Sequence, residues 1–407
     1  MRPDTDTVKP RVKQRGALRA GIAMLAAASL TACGTLGGLF GSSDDEEANQ
    51  PAPLLDIVKE VDIKRVWSTS LKGGQGAGYY HLSPVIQGEL IYAAGSEGEV
   101  VALRKVSGKP IWKIDLESEI SGGVGVGGGL VLVGTSDGKV HALSDADGSE
   151  LWASQISGEI LSPPQSNGRV VVVQSYNGEL HGLNAEDGVE LWSYDSNVPV
   201  LTLRGNSTPI IYERVAIAGF GNGRVVAVDL KTGALRWEAR VAIAQGRSEI
   251  DRIVDIDGTM LLLPPVLWAV SYQGYLAVID LASGRKLRQE EVSSYAGLDQ
   301  GFGNVYVAEE TGTVIAYYRN TSGIRWEQGD LTYRRLSTPK TVKGYVVVGD
   351  FEGYLHFLSQ LDGRIVGRME FDGDGVRANM LAEDDILYVY GNSGKLSALR
   401  VIPRSAE

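Results

Sequence analysis

Residues 134–157 read GTSDGKVHALSDADGSELWASQIS. Val140, Ala142 and Leu143 follow the Asp-Gly pair at Gly138, and a second Asp-Gly pair at Gly148 leads into Leu151 and Trp152. Period-two alternation broken by Asp-Gly is the pattern of short strands joined by tight hairpins, in which glycine takes the positive φ. The unit recurs from Gly95, Gln174, Gly219, Val270, Ala308 and Gly349, and in truncated form from Tyr390. The first turn glycines fall at 98, 138, 178, 223, 274, 312, 353 and 394, so the spacings are 40, 40, 45, 51, 38, 41 and 41. Periods near 40 mean propeller blades or helical solenoids. Within each unit the glycine-free runs are at most ten residues long, too short for the paired helices of a solenoid repeat, so the repeat predicts blades.

Working outward, each unit supplies a strand such as 130–134, a second such as 139–143 and a tryptophan strand such as 150–154. A Ser-Pro-like segment, as at Ser83-Pro84 or Ser162-Pro163, opens the next blade and brings the count to four strands. The eighth copy stops before its tryptophan strand. The missing piece is KRVWSTSL, residues 64–71, which has no blade before it. The expectation is an all-β, eight-bladed β-propeller of four-stranded blades over residues 61–407, its ring closed by an N-terminal strand that completes the last blade and removes an open edge. The tryptophans at 67, 112, 152, 192, 237 and 326 share one slot, which favours packing between blades over ligand stacking. Leu287 and Val366 are taken to fill that slot in the two blades without one.

The start of the chain is an address rather than a fold. Residues 1–32 combine a basic leader with an apolar run from Ala17 to Leu30, too short to span a bilayer as a helix. They lead into Leu30-Thr31-Ala32-Cys33, which resembles the bacterial lipobox. Cys33 is the only cysteine, so no disulfide or cysteine metal cluster is available. Acylation at Cys33 would anchor the protein without spanning the membrane, and residues 33–60 are expected to form the lipidated cysteine and a flexible tether. The first 33 residues carry six Lys/Arg against Asp4 and Asp6, so the chain's −11 becomes −15 for the remainder. That sign argues against nucleic acid as a partner.

No HExxH, GxSxG or Walker loop occurs. GVGVGGG at 123–129 lacks the Lys-Ser/Thr and helix of a phosphate loop and is expected as strand and turn. His141 and His181 occupy one repeat slot and are expected as packed strand histidines, not zinc ligands.

The turn glycine, the apolar run, the second Asp-Gly and the tryptophan resemble the quinoprotein-type propeller repeat. With the lipobox, WSTS at Trp67, LTLRG at 201–205 and EIDRIVDID at 249–257, the chain is similar to the propeller lipoprotein family of the outer-membrane β-barrel assembly machinery. That resemblance implies a monomeric, non-catalytic scaffold with no cofactor and no catalytic or metal site. It implies lipid anchoring at Cys33 on the periplasmic side of the outer membrane, a position that Gly34 after the cysteine favours. The partner implied is BamA, through its periplasmic polypeptide-transport repeats, and through it the other lipoproteins of the machinery. Strands of unfolded outer-membrane protein are a further partner, added at blade edges. A pyrroloquinoline-quinone-dependent dehydrogenase and a periplasmic ligand-binding propeller are the alternatives. The enzymes of the repeat family use a vicinal disulfide that one cysteine cannot form.

Function concentrates in loops, and the two longest spacings lie side by side in the ring. For Leu201 and Leu203 two placements are open, an inward-facing first strand of the next blade or an exposed loop. With the resemblance, Leu201, Leu203 and Arg204 are expected as the apolar and cationic half of a partner-binding face, with Asp255 and Asp257 as its anionic half.

Overall fold

Every strand of the computed structural model belongs to one of eight four-stranded antiparallel sheets. The structure describes residues 49–78 and 80–404, so Cys33 and the leader lie outside it. All eight sheets belong to the compact unit Gln50–Glu407.

Seven blades are built from consecutive strands. The eighth is ordered Val61–Ser70, Lys395–Pro403, Ile386–Tyr390, Leu381–Glu383, so the N-terminal strand is its outermost member. Val61 pairs with Pro403 and Ser70 with Lys395, and ring closure through the N-terminus is confirmed. Within a blade the two middle strands are almost wholly buried, as in Leu130–Thr135 and Lys139–Ser144, the innermost strand is mostly half-buried, as in Ile210–Tyr212, and the tryptophan strand at the rim alternates, as in Glu150–Gln155.

The antiparallel order gives the ring two faces. One carries the connectors from each tryptophan strand to the next blade's innermost strand, together with the turns between second and third strands. We call this the connector face. The opposite face carries the remaining hairpins.

The shared tryptophan slot is an inter-blade clasp. The indole N–H of Trp152 donates to the Ala185 carbonyl of the following blade at 2.9 Å. Trp67, Trp112, Trp192, Trp237 and Trp326 donate in the same way to the carbonyls of Lys105, Asp145, Leu230, Leu281 and Gln360. Each ring lies against the next blade's second turn glycine. A Cβ on Gly148, for example, would come within 2.7 Å of the Trp112 ring.

The slot in the two remaining blades is not where residue type placed it. Val278 pairs with Arg288 where Ala227 pairs with Trp237, and Phe357 pairs with Gly367. Leu287 is therefore exposed. Arg288 bridges the blades instead, donating to the Tyr318 carbonyl at 3.1 Å and to that of Thr321, with its guanidinium 4.6 Å from the Trp268 ring centroid. At Gly367 a side chain would collide with Val61 of the N-terminal strand, which fills the space.

Three other expectations resolve locally. The glycine run forms the strand Ile120–Gly127, where a Cβ on Gly125 would collide with the Pro164 carbonyl of the next blade. His141 and His181 are buried strand residues whose Nδ1 atoms lie 2.9 and 3.0 Å from Glu150 and Glu190. At the turn around Gly274 the positive φ belongs to Gln273. Glycine is required there for space, against Ser271 and Ala242.

Residues 33–48 of the expected tether lie outside the described residues. Residues 52–60 have no regular structure but are held to the propeller by hydrogen bonds from Ala52 N–H to the Thr332 carbonyl and from Glu60 N–H to that of Val366, each 2.8 Å.

Candidate functional site

Residues 198–209 run from the tryptophan strand Glu190–Asp195 to the innermost strand Ile210–Tyr212. Leu201 and Leu203 thus lie in a connector and not in a strand. Residues 241–260 make the next connector, from Leu235–Arg240 to Leu261–Leu263, with one turn of 3-10 helix at Ile250–Arg252. Both lie on the connector face, as expected from consecutive insertions.

The two connectors are tied together. The Leu203 N–H donates to the Asp255 carboxylate, and Gly205 is packed so closely that a Cβ there would lie 2.9 Å from Asp257 Cγ. Thr202 donates to the Tyr176 hydroxyl at 3.1 Å. Arg204 reaches across to two other connectors, donating from Nε to the Gly78 carbonyl at 2.8 Å and from Nη2 to Glu159 at 2.6 Å. Its guanidinium also lies 5.7 Å from the Tyr80 ring centroid. On the far side of the ring Asn379 donates to Thr259 at 3.0 Å. This lattice holds Leu201 44 % exposed and Val200 fully exposed, while Leu203 is half-buried.

The acidic residues are placed differently from expectation. Asp255 is 1 % exposed. Burial pushes its carboxyl up to about 7 against the opposing hydrogen bond from Leu203. Asp257 is driven well above the carboxylate range by burial and then by the charge of Asp255. Asp255 is therefore not part of an open anionic surface but forms the floor beneath LTLRG, because a carboxyl under the loop is the acceptor for a backbone N–H that water no longer reaches, while Asp257 is half-buried beside Gly205. Arg204, paired to Glu159, is likewise a brace as well as a partly exposed cation. The exposed acids here are Glu249 and Asp251. Asp251 accepts from the Ser248 N–H at 3.1 Å, and Glu249 is 3.5 Å from Arg252.

Three exposed apolar residues of these connectors, Val200, Ile243 and Ile250, are absent from the sequence-based set. The signal was available, because each lies inside one of the two long spacings. Among the described residues no three His, Cys, Asp or Glu side chains come together as a metal-binding group.

A family model described as outer membrane protein assembly factor BamB matches residues 56–122 and 107–328. The outer membrane protein assembly factor BamB of Pseudomonas aeruginosa is 56 % identical over 360 residues, covering 88 % of this chain and 95 % of that one. The chain belongs to the BamB family. The crystal structure of BamB from Moraxella catarrhalis matches with a TM-score of 0.77 at 31 % identity, over 83 % of this chain and 100 % of that one. Quinohemoprotein alcohol dehydrogenase from Comamonas testosteroni also matches, at a TM-score of 0.68 and 15 % identity over 85 % of this chain and 77 % of that one. At that identity the likeness is one of fold alone, which does not carry function.

The acid pair of this BamB-family chain makes a pH prediction. A carboxyl whose folded pKa is raised keeps a proton that the unfolded chain releases, so the folded state binds more protons between the ordinary carboxylate value and about 7. Stability is then greatest at the acid end of that window and is lost as pH rises through about 7. Asp255→Asn keeps an acceptor for Leu203 and removes the titration. The loss of stability between pH 5 and pH 8, measured by denaturant midpoints, should shrink in that variant. Asp255→Ala should lower the midpoint at both pH values, since the Leu203 N–H is left without its partner.

Proposed function

We propose that this chain is an outer-membrane lipoprotein that catalyses nothing and acts as a scaffold in β-barrel assembly. In this reading the connectors 198–209 and 241–260 grip the periplasmic polypeptide-transport repeats of BamA. The observation that carries it is the braced, exposed LTLRG connector. Five hydrogen bonds made by residues 202–205 hold its backbone and arginine while Leu201 and Val200 project outward. A rigid loop presenting apolar side chains loses little entropy on binding. Family membership supports the same reading, since the BamB relatives are named as assembly factors. Leu201, Leu203 and Arg204 are the contact residues, and Asp255 and Asp257 position them from below.

A photo-crosslinking residue at Leu201, in cells, should give an adduct with BamA. The same residue at Leu361, exposed on the opposite face, should give none. Equal capture at both positions, or none at either, would sink the docking assignment. The anchor has its own test: Cys33→Ala should move the protein from the membrane pellet to the soluble periplasmic fraction, and a variant that stays in the pellet would count against acylation at that residue.

A further inference from the structure

We propose that residues 52–60 are a strap, clamped to the propeller by Arg334 and Arg368, that makes the lipid tether leave from the face carrying the docking connectors. The proposal rests on acylation at Cys33.

Topology sets the problem. Val61 pairs with Pro403, the end of a strand that starts at the connector face and finishes at the opposite one. The closing strand Val61–Ser70 therefore begins at the opposite face and runs toward the connector face. A tether starting at residue 60 would depart from the wrong side, separated from the docking connectors by the height of a ten-residue strand, about 33 Å.

The strap reverses this. Glu60 is held at the opposite face, with its N–H on the Val366 carbonyl and its carboxylate 2.7 Å from Arg364 beside the hairpin. Leu55 is held halfway along, where Arg368 Nη1 donates to its carbonyl at 2.8 Å. Ala52 is held at the connector between the sixth and seventh blades. Its N–H donates to the Thr332 carbonyl, and its own carbonyl accepts from Arg334 Nη1 at 3.0 Å.

The two arginines belong to one buried network. Arg334 Nε donates to Asp350 at 2.7 Å and Nη2 to Glu352. Asp350 also accepts from His356 Nε2 at 2.9 Å, and Arg368 Nε donates to His356 Nδ1 at 3.3 Å. That last bond requires Nδ1 to be the acceptor, which fixes His356 as the neutral tautomer with its proton on Nε2. Arg334, Asp350 and His356 are each at most 2 % exposed. A guanidinium fixed this deeply is pre-organised, and its spare N–H points at the strap's carbonyl.

With the strap closed, 18 residues of chain separate Cys33 from Ala52, a contour of at most about 60 Å. They start on the connector face. The membrane anchor and the docking connectors then act from one side, so anchoring orients the propeller instead of merely retaining it.

The test uses the full lipoprotein in phosphatidylethanolamine/phosphatidylglycerol vesicles containing doxyl-labelled lipid. Ser248→Cys reports the connector face and Asp362→Cys the opposite one, each carrying a fluorophore, since an acylated Cys33 has no thiol to label. Quenching at position 248 should exceed that at 362 at least twofold. The difference should vanish in Arg368→Ala and in Ala52→Pro, which deletes the donor to Thr332 at a residue outside the core. Tryptophan fluorescence checks that both variants stay folded. Equal quenching at the two positions in the parent, or a preference retained in folded Ala52→Pro and Arg368→Ala, overturns the proposal. Failure of the acylation reading is distinct: the protein would not float with the vesicles, and Cys33 would itself take up label.

Discussion

Replacing Leu201 and Leu203 together with alanine should, on the proposed docking, weaken binding to the BamA repeats roughly a hundredfold or more, which is about 2.7 kcal/mol. A leucine side chain moved from water into an interface contributes on the order of 1.5–3 kcal/mol. Leu201 begins 44 % exposed, so most of its gain is available on binding, whereas half-buried Leu203 has less left. Neither residue belongs to a core cluster, and the hydrogen bond from Leu203 to Asp255 uses the backbone N–H, which alanine retains. The loop should keep its path, and the unfolding midpoint should stay close to the parent's. Titrating the purified repeats against parent and variant decides the matter. Unchanged affinity would remove these leucines from the interface, and a large drop in midpoint would mean that they are structural.

The same connector shows what a sequence can and cannot disclose. Eight copies of one unit set the number of blades, and a displaced tryptophan strand set the closure, because both are periodic signals carried by neighbours in the chain. The long spacing pointed to the connector that holds Leu201 but left an inward strand and an exposed loop both open, and only the family resemblance favoured the loop. Asp255 reads as solvated because it is a charged residue in a polar run. What buries it is a backbone N–H 52 positions earlier, and no local pattern records that. The strap is hidden for the same reason: residues 52–60 have no periodicity, and the clamps lie 282 and 313 positions away. The slot assigned to Leu287 and Val366 is a different kind of miss. Each tryptophan strand is offset by a bulge, but the count of four from the turn glycine, which gives Trp152 from Gly148, gives Arg288 from Gly284 and Gly367 from Gly363. Leucine and valine suit a packed slot by residue type, yet register decides which side chain faces the next blade.

That correction separates two adjacent residues in a second large effect. Trp152→Ala should destabilise the propeller by about 3–5 kcal/mol, the usual cost of truncating a buried tryptophan, whereas Leu151→Ala should fall within about 0.5 kcal/mol of the parent. Leu151 is 55 % exposed on the rim, while Trp152 is 8 % exposed with its indole spanning two blades. Truncation leaves a cavity against Gly188 and strips the Ala185 carbonyl of its donor. Guanidinium midpoints for the pair measure the difference directly, and similar midpoints would show that the tryptophans fill space without clasping. The closing strand should respond in the same way, because Trp67 reaches the first blade by the identical contact, donating to the Lys105 carbonyl at 2.8 Å with its ring beside Gly108. Trp67→Ala therefore weakens the seam at which the ring is shut, and since the strap enters that strand at Val61, loosening there should also release Glu60 from Val366.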